Sequence, residues 1–477
     1  MKLKTLFKDL EVQFHGSKET AITGIASDSR RVSMGNLFIA RKGDTYDGNQ
    51  FLKDAVQNGA AAILTDILDP FLGKVTQIIH PDPAFIEASL AAKFYEYPSL
   101  DLEVIGVTGT SGKTTTTYLI RHILKNCGLI GGVECLIGNT RYDSTHTTPD
   151  AIAVQKMLRE MKLHGCSSAV MEVTSHALEQ RRVSNTRFSF AIFTNLTPEH
   201  LDYHKDMDSY KRAKQKLFLM LDQDACAIVN ADDLYAEDML KVSASEKMTF
   251  GIERQADVMA KKIALHANGM TFDVEYKKEK LPFSSTLIGR FNVSNILGAV
   301  AFGLKKGIPL KELKEKIASF QTVPGRLQRV PTDKKTVFVD YAHKPDALLK
   351  VLKTLREISQ KKMITIFGCG GNRDRLKRPM MAKIAEEYSD IVIVTSDNPR
   401  NEEPEAIVSE IIQGFQKKGY LVELDRKLAI QKALTLADKE DIVLIAGKGH
   451  EKMQIFAHRT IPFDDVQVAQ TLMNPSH

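Results

Sequence analysis

The stretch LEVIGVTGTSGKTTTTYLIRHILKNC, residues 102–127, decides how the chain is read. Its first half is a continuous apolar run, the pattern of a parallel strand buried on both faces. Its second half, TTTYLIRHILKNC, reads as a helix. Between them lies Thr108-Gly109-Thr110-Ser111-Gly112-Lys113-Thr114-Thr115. Glycines in such a turn let backbone N–H groups curl around phosphates, and the helix N-terminus adds a favourable dipole. Lys113 can reach the β- and γ-phosphates, and Thr114 can place its hydroxyl on Mg²⁺. Gly109 to Thr115 are thus the expected ATP-binding loop, with Lys113 a catalytic candidate. The full phosphate-loop pattern asks for glycine at position 107, where this chain has Val107. An ordinary strand-to-helix turn is the bland alternative.

Outward from this loop the same alternation repeats. SSAVMEV, FSFAIFTN and ACAIVN each lead to polar residues and then a helical stretch, which predicts a mostly parallel sheet with helices on both faces. Upstream, GNLFIA (35–40), AAAILTD (60–66) and VTQIIH (75–80) read as short strands of a small α/β unit. EASLAAKFYEYPSL follows as an amphipathic helix stopped by Pro98. From VPGRLQRV (323–330) onward, the strands TVFVDYA, KMITIFGC, DIVIVTS and DIVLIAGKG alternate with helices in DALLKVLKTLREI, RPMMAKIAEEY and PEAIVSEIIQGFQKKG. That is a second doubly wound pattern. The expected domains are 1–98, 99–322 and 323–477, in keeping with a 477-residue chain too long for one core.

Composition excludes several classes. Hydrophobic residues are 43% and charged residues 26%, ordinary for a folded soluble chain. The net charge of +6 is small and its basic residues scattered, with no nucleic-acid reader motif. No stretch approaches the roughly 18 apolar residues that span a bilayer, and the charged start MKLKTLFKDLEVQF lacks a signal-peptide core. Cys127, Cys135, Cys166, Cys226 and Cys369 form no paired motif, which suits a reducing cytosol. A soluble, cytoplasmic protein is expected.

Two more segments carry chemistry. MEVTSHAL (171–178) puts Glu172 at the carboxyl end of a strand beside the phosphate loop, where a carboxylate suits a nucleotide-bound metal. FTNLTPEHLDYHKDMDSYKRAKQKLF (193–218) gathers His200, Asp202, His204 and Lys214. With the GTSGKTT loop, these segments resemble those of the Mur ligase family, and the resemblance runs along the whole chain. It implies an α/β fold of three domains, with a central phosphate-loop parallel sheet and a Rossmann-like C-terminal domain. It also implies Glu172 as a Mg²⁺ ligand beside Thr114, His176 near the metal, and His200 as a catalytic candidate. Lys214 falls where the family carries a carbamylated lysine, whose anionic carbamate coordinates a second Mg²⁺; read alone it is a solvated helix lysine. Glu199 stands where an Asp is usual.

By the same resemblance, Asn292 and Asn295 in GRFNVSN, Arg326 in PGRLQ and Asp340 in DYAHKPDAL complete the ATP site. The bland reading of Asn292 is a helix cap. The UDP-sugar-peptide site is assigned to Ser27 and Ser29 in SDSR, Thr147 and Thr148 in TTP, and Thr174, Gln180 and Arg182, with the GDTYDG turn (43–48) alongside. Asp397-Asn398-Pro399-Arg400 matches a motif associated in this family with addition of meso-diaminopimelate. Arg400 offers a planar fork suited to the carboxylate that lysine lacks. Arg373 in GCGGNRD, and Gly447 and Glu451 in GKGHE, occupy the remaining positions around the amino acid, Glu451 facing its distal ammonium. The implied activity is ATP- and Mg²⁺-dependent ligation of meso-diaminopimelate to UDP-MurNAc-L-Ala-D-Glu in peptidoglycan precursor synthesis. A lysine-adding or other Mur or folylpolyglutamate-type ligase is the near alternative, and a non-catalytic ATP switch the distant one.

Overall fold

A computed structural model describes residues 1–43, 46–144, 146–332, 335–358, 361–417 and 419–474, and the chain divides into two compact units, Met1–Asp257 and Val258–His477. Asp44 and Thr45 of the GDTYDG turn lie outside the described residues.

The first unit opens with a 5-stranded sheet, β1 (Gln13–His15), β2 (Gly24–Ala26), β3 (Asn36–Ile39), β4 (Ala62–Thr65) and β5 (Thr76–Ile79), in the order β1-β5-β4-β3-β2. Only β1 runs antiparallel. Alternation along the strands sends Leu37, Ile39, Leu64 and Ile78 into one core and Phe38 and Ile63 into another, so both faces are covered. The helix expected to stop at Pro98 ends at Phe94, and Pro98 instead opens a 3₁₀ turn, Pro98–Leu100. Proline fits that first position because no N–H is needed there.

Next come β6 (Glu103–Thr108), β7 (Cys127–Ile130), β8 (Glu134–Ile137), β9 (Thr140–Asp143), β10 (Ser168–Glu172), β11 (Phe188–Phe193), β12 (Leu221–Asn230) and β13 (Glu246–Gly251). Their order is β13-β12-β11-β6-β10-β7-β8-β9, parallel from β13 to β7 and antiparallel beyond. The phosphate loop therefore leaves a strand flanked by β10 and β11, and the crevice at the carboxyl ends of such strands is where ligands bind in open α/β sheets. The helix after it spans Lys113–Ile123, shorter than expected, because Cys127 already belongs to β7. Val107 is fully buried inside β6, paired with Glu172 and Ile192, so position 107 needs no glycine and the turn begins at Gly109.

In the second unit, β14 (Val258–His266), β15 (Gly269–Tyr276) and β16 (Glu279–Ser285) form an antiparallel meander that the sequence reading did not anticipate. A 6-stranded sheet follows, β17 (Gln328–Arg329), β18 (Thr336–Asp340), β19 (Met363–Phe367), β20 (Ile391–Val394), β21 (Tyr420–Val422) and β22 (Ile442–Ala446), ordered β17-β18-β22-β19-β20-β21. All pairs but β17–β18 are parallel. Phe338, Phe367, Val394 and Leu444 face one core, while Val339, Ile366, Ile393 and Ile445 face the other. A hairpin of β23 (Met453–Ile455) and β24 (Thr460–Pro462) completes the unit. The helix expected over PEAIVSEIIQGFQKKG spans only Pro404–Ile412.

Candidate active site

Gly109 carries φ 151°, and a Cβ there would stand 1.9 Å from Thr194 Oγ1, a space only glycine leaves open. The end of β11 grips the loop. Thr194 Oγ1 and Asn195 Nδ2 donate to the Ser111 carbonyl at 2.6 and 3.0 Å, and Asn195 Oδ1 accepts from Ser111 N–H at 3.0 Å. Thr110 Oγ1 meets Thr197 O and Tyr210 Oη, both at 3.2 Å. Lys113 Nζ folds back onto the Gly109 and Thr110 carbonyls at 2.8 and 2.9 Å, which holds its charge at the mouth of the loop. Thr115 is buried on the helix behind it.

Glu172 ends β10 and is 2% exposed. Its Oε2 accepts from Thr114 Oγ1 at 3.1 Å and its Oε1 from Gly132 N–H at 2.9 Å. Thr147 lies against Gly132, and the buried Thr148 donates to the Glu172 carbonyl at 2.8 Å. Thr174 N–H donates to Thr148 Oγ1 at 3.1 Å, while Thr174 Oγ1 caps the helix Ser175–Glu179. Arg182 then donates to Thr148 O at 2.8 Å and to Gln180 Oε1 at 3.0 and 2.6 Å. Thr148, Thr174, Gln180 and Arg182, all read as contacting the sugar-peptide, are thus joined by hydrogen bonds, and Thr148 ties them to the Glu172 backbone.

Ser29 is buried and Ser27 half-buried in the N-terminal layer. Two residues absent from the sequence reading stand beside them: Arg41 Nη1 meets the buried Glu87 Oε2 at 3.0 Å. Burial pushes the Glu87 carboxyl up and Arg41 opposes that. Arg41 also acts on Arg182, whose guanidinium is pulled down by burial and then by the Arg41 charge.

Lys214 is not a solvated helix lysine. It is 1% exposed, its Nζ lies 4.6 Å from the centre of the Tyr210 ring, and among the described residues it makes no ion pair. Burial and the Lys113 charge push its pKa well below the ordinary lysine value. Alongside it, His176 packs its ring 4.2 Å from Tyr203, 4.9 Å from His200 and 5.4 Å from His204. His204 Nε2 bonds Ser175 Oγ at 2.9 Å. Burial lowers the pKa of His176 and of His204. His200 itself holds a left-handed backbone, φ 58°, and its Nε2 is 3.9 Å from Glu199. No group of three or more His, Cys, Asp or Glu side chains converges as a metal cage among the described residues. The donor set suits Mg²⁺ held mainly by a nucleotide, with one hydroxyl and one carboxylate from the protein.

Within the second unit, the expected cap at Asn292 is corrected: Gly289 is the N-cap of the helix Arg290–Lys305, and Asn292 Nδ2 donates to Ile288 O at 2.8 Å. Asn295 Nδ2 in turn donates to Asn292 Oδ1 at 2.9 Å. Both oxygens of the buried Asp340 accept backbone N–H groups, from Leu327 at 2.7 Å and Ala342 at 2.8 Å. They stitch the loop bearing Arg326 to the end of β18, and the Arg326 guanidinium lies 5.5 Å from the Tyr341 ring. Burial raises the Asp340 carboxyl and Arg326 opposes it.

The amino-acid residues emerge from the carboxyl ends of β19, β20 and β22. Asn398 Nδ2 donates to Glu451 Oε2 at 2.8 Å, and Gln454 Nε2 to Asp397 O at 2.8 Å, so the two loops interlock. Pro399 is buried beside Gly371. Arg400 holds a left-handed backbone, φ 54°, and its Nη1 donates to Gly371 O at 2.9 Å. Arg373 is exposed on the same Gly371 loop, its Nη1 donating to Asn372 O at 3.2 Å. Gly447, φ 115°, leaves room for Asp397 Oδ2, which a Cβ would approach to 2.7 Å. The sequence reading missed Lys448, although it lies inside the quoted GKGHE. Fully buried, its Nζ donates to Asn398 Oδ1 and Glu451 Oε2, both at 3.2 Å, and to Met453 O at 2.6 Å. It also missed Arg378, fully buried between Glu402 and Glu410, which fixes the 372 loop through Glu402.

Three family models match the chain: the Mur ligase family catalytic domain at residues 21–95, the Mur ligase middle domain at 107–303, and the Mur ligase glutamate ligase domain at 325–449. UDP-N-acetylmuramoyl-L-alanyl-D-glutamate--2,6-diaminopimelate ligase of Chlamydia pneumoniae is 44% identical over 475 residues, 98% of each chain. The ligase of the same name from Halalkalibacterium halodurans is 44% identical over 457 residues, 94% of each. A solved structure bearing that enzyme name matches with TM-score 0.71 at 31% identity, covering 100% of this chain and 99% of the other. MurF from Acinetobacter baumannii shares the fold at TM-score 0.68 and 21% identity, covering 94% of this chain and 95% of its own. The chain belongs to the Mur ligase family.

Proposed function

We propose that the chain is the ATP-dependent ligase that joins meso-2,6-diaminopimelate to UDP-MurNAc-L-Ala-D-Glu, releasing ADP and phosphate. The observation that carries this reading is that one chain holds both a phosphate loop backed by Glu172 and a second ligand edge built by Asp397–Arg400 and Glu451. Its support in kind is the name shared by relatives at 42–44% identity along almost the whole chain.

A free carboxylate is a poor electrophile, so ATP first phosphorylates the terminal carboxylate of the UDP-sugar peptide, giving an acyl phosphate and ADP. The amine of diaminopimelate attacks the acyl carbon, loses a proton, and phosphate leaves from the tetrahedral intermediate. Lys113 exchanges its bonds to the loop carbonyls for the nucleotide phosphates and, with the loop N–H groups, offsets the charge of the transferring group. Thr114 and Glu172 are the residues to hold Mg²⁺, which when bound supplies further charge neutralisation on the phosphoryl oxygens. His176 and His200 border that position. Lys214, a buried amine whose pKa lies well below the ordinary lysine value, would in its neutral form attack CO₂ at carbon and release a proton, and the anionic carbamate so formed would hold a second ion. Thr147, Thr148, Thr174, Gln180, Arg182, Ser27 and Ser29 bind the UDP-sugar peptide. Asn292, Asn295, Arg326 and Asp340 serve the nucleotide. Arg400 and Arg373 take the distal carboxylate of diaminopimelate, and Glu451 its ammonium.

The domains that carry these three ligands are proposed as 1–98, 99–322 and 323–477, in a cytoplasmic monomer. No helix among the described residues is long and apolar enough to cross a membrane.

Phosphate release from ATP and UDP-MurNAc-L-Ala-D-Glu, compared between meso-diaminopimelate and L-lysine, tests the reading. Turnover with diaminopimelate alone is expected. Turnover with lysine in its place would keep the ligase and remove the specificity; silence with both would favour another acceptor or an ATP switch.

A further inference from the structure

Arg426 and Asp465 are 1% and 0% exposed, and each opens a helix, Arg426–Leu436 and Asp465–Met473. Arg426 Nε and Nη2 meet the two carboxylate oxygens of Asp465 at 2.8 Å each, a bidentate pair sealed from solvent. Stability alone is a poor reason for such a pair, because well-packed apolar side chains of similar volume serve as well or better. What apolar side chains cannot reproduce is the use made of the remaining donors. Nη2 also donates to Ala446 O at 3.0 Å, and Nη1 reaches Ser396 O at 3.4 Å.

Those two carbonyls have a special place. Ala446 is the last residue of β22, immediately before Gly447, and Ser396 immediately precedes Asp397. In the sheet, β19 stands between β22 and β20, so no ladder hydrogen bond ties their ends together. The guanidinium bridges this gap from beneath the loops. Above it the loops meet through Asn398–Glu451 and Gln454–Asp397, the contacts that give the amino-acid site its shape. The acidic charges of Asp397 and Glu451 also act on Arg426 and favour its cationic form. A planar fork holding a carboxylate on one edge and two carbonyls on the other is a geometry lysine cannot supply.

We propose that Arg426, anchored by Asp465, is the positioning residue of the amino-acid site: it sets the spacing between the Asp397–Arg400 loop and the Gly447–Glu451 loop. This rests on the reading of those loops as the site for the amino-acid substrate. It touches no substrate and acts only through the two backbone carbonyls.

The experiment compares the full-length parent with the double variant Arg426→Met/Asp465→Leu and with Arg426→Lys. The double variant avoids a stranded buried charge and is expected to keep the parent melting temperature. Its KM for meso-diaminopimelate should rise by about 10²-fold, the scale of a misplaced binding group, while the KM values for ATP and for the UDP-sugar peptide stay unchanged. Arg426→Lys should show a smaller rise of the same kind. Amide hydrogen exchange at 396–400 and 447–451 should quicken in the double variant without change elsewhere in the sheet. A folded double variant with the parent KM for diaminopimelate, or one whose three KM values rise together, would overturn the proposal. Collapse of both variants would assign the pair to stability alone and overturn it too. A parent that turns over no diaminopimelate would instead remove the reading of the site, and the positioning role with it.

Discussion

Thr114 Oγ1 donates to Glu172 Oε2 at 3.1 Å, tying the first turn of the phosphate-loop helix to the end of the neighbouring strand. The bond holds the two side chains proposed as Mg²⁺ ligands together. Glu172→Gln keeps the shape, with its amide oxygen accepting from Gly132 N–H and its amide nitrogen donating to the Thr114 hydroxyl, so the melting temperature should barely move. The Mg²⁺ concentration for half-maximal turnover should rise by roughly 10–100-fold, and Thr114→Ala should do the same. A Mg²⁺ titration of each variant is the check; unchanged titrations would place the ion elsewhere.

Lys214 is buried beside the Lys113 charge and makes no ion pair among the described residues; burial and Lys113 favour its neutral amine, and the Glu199 charge opposes them. Mass spectrometry of the native protein should show one added CO₂, lost on denaturation in acid. Lys214→Met should fold normally, since the change removes a buried amine, yet turnover should fall by on the order of 10²-fold or more. Full activity in this variant would leave the lysine a packing role only.

How much of this was legible beforehand depends on what kind of contact each residue makes. The phosphate loop and Glu172 could be read because local chemistry fixes them: glycine, lysine and threonine at set spacing, and a carboxylate ending an apolar run. The doubly wound sheets were legible for the same reason, since stretches such as Val104–Val107 and Ile442–Ala446 are apolar throughout. Helix ends were read less well. The Lys113–Ile123 helix was drawn through to Cys127 because Leu124 and Cys127 fit its apolar period, and only the sheet shows Cys127 to be a strand. The β14–β16 meander carries polar residues on its open face, so no continuous apolar run marked it. Lys214 read alone looked like a surface lysine because a single sequence does not show which face of its helix the fold covers; Tyr210, one turn earlier on that helix, is buried with it. Arg41–Glu87 is 46 residues apart and Arg426–Asp465 is 39, distances at which a single sequence offers no pairing signal.

Arg400 is held in a left-handed backbone with one nitrogen on Gly371 O, which leaves the rest of its fork for a carboxylate. A charge-assisted bidentate contact contributes about 1.5–3 kcal/mol. Arg400→Ala should therefore raise the KM for meso-diaminopimelate by roughly 10–100-fold and leave the KM for ATP alone. Arg400→Lys should rescue little, because an ammonium cannot present two parallel donors. Steady-state kinetics with each substrate varied in turn would show it, and an equal loss for ATP would argue against a role in amino-acid binding.

His343 is half-buried with Nδ1 on the Tyr341 carbonyl at 2.8 Å; burial lowers its pKa, and Lys377 and Lys344 push the same way. Between that lowered value and the ordinary 6.5, the unfolded chain binds more protons than the folded one. The stabilising contribution is thus complete above 6.5 and is lost as pH falls below it. Urea midpoints measured on either side of that pH should drop on the acid side, and His343→Gln should flatten the drop. An equal drop in the variant would assign the acid sensitivity to other groups.

The most direct test follows oxygen. UDP-MurNAc-L-Ala-D-Glu carrying heavy oxygen in its terminal carboxylate would be turned over with ATP and meso-diaminopimelate, and the released phosphate weighed. One labelled oxygen per phosphate is expected, because the carboxylate oxygen that accepts the phosphoryl group leaves with it. Unlabelled phosphate, with ADP formed, would mean that water and not the carboxylate receives the phosphoryl group, and the ligase mechanism would fall.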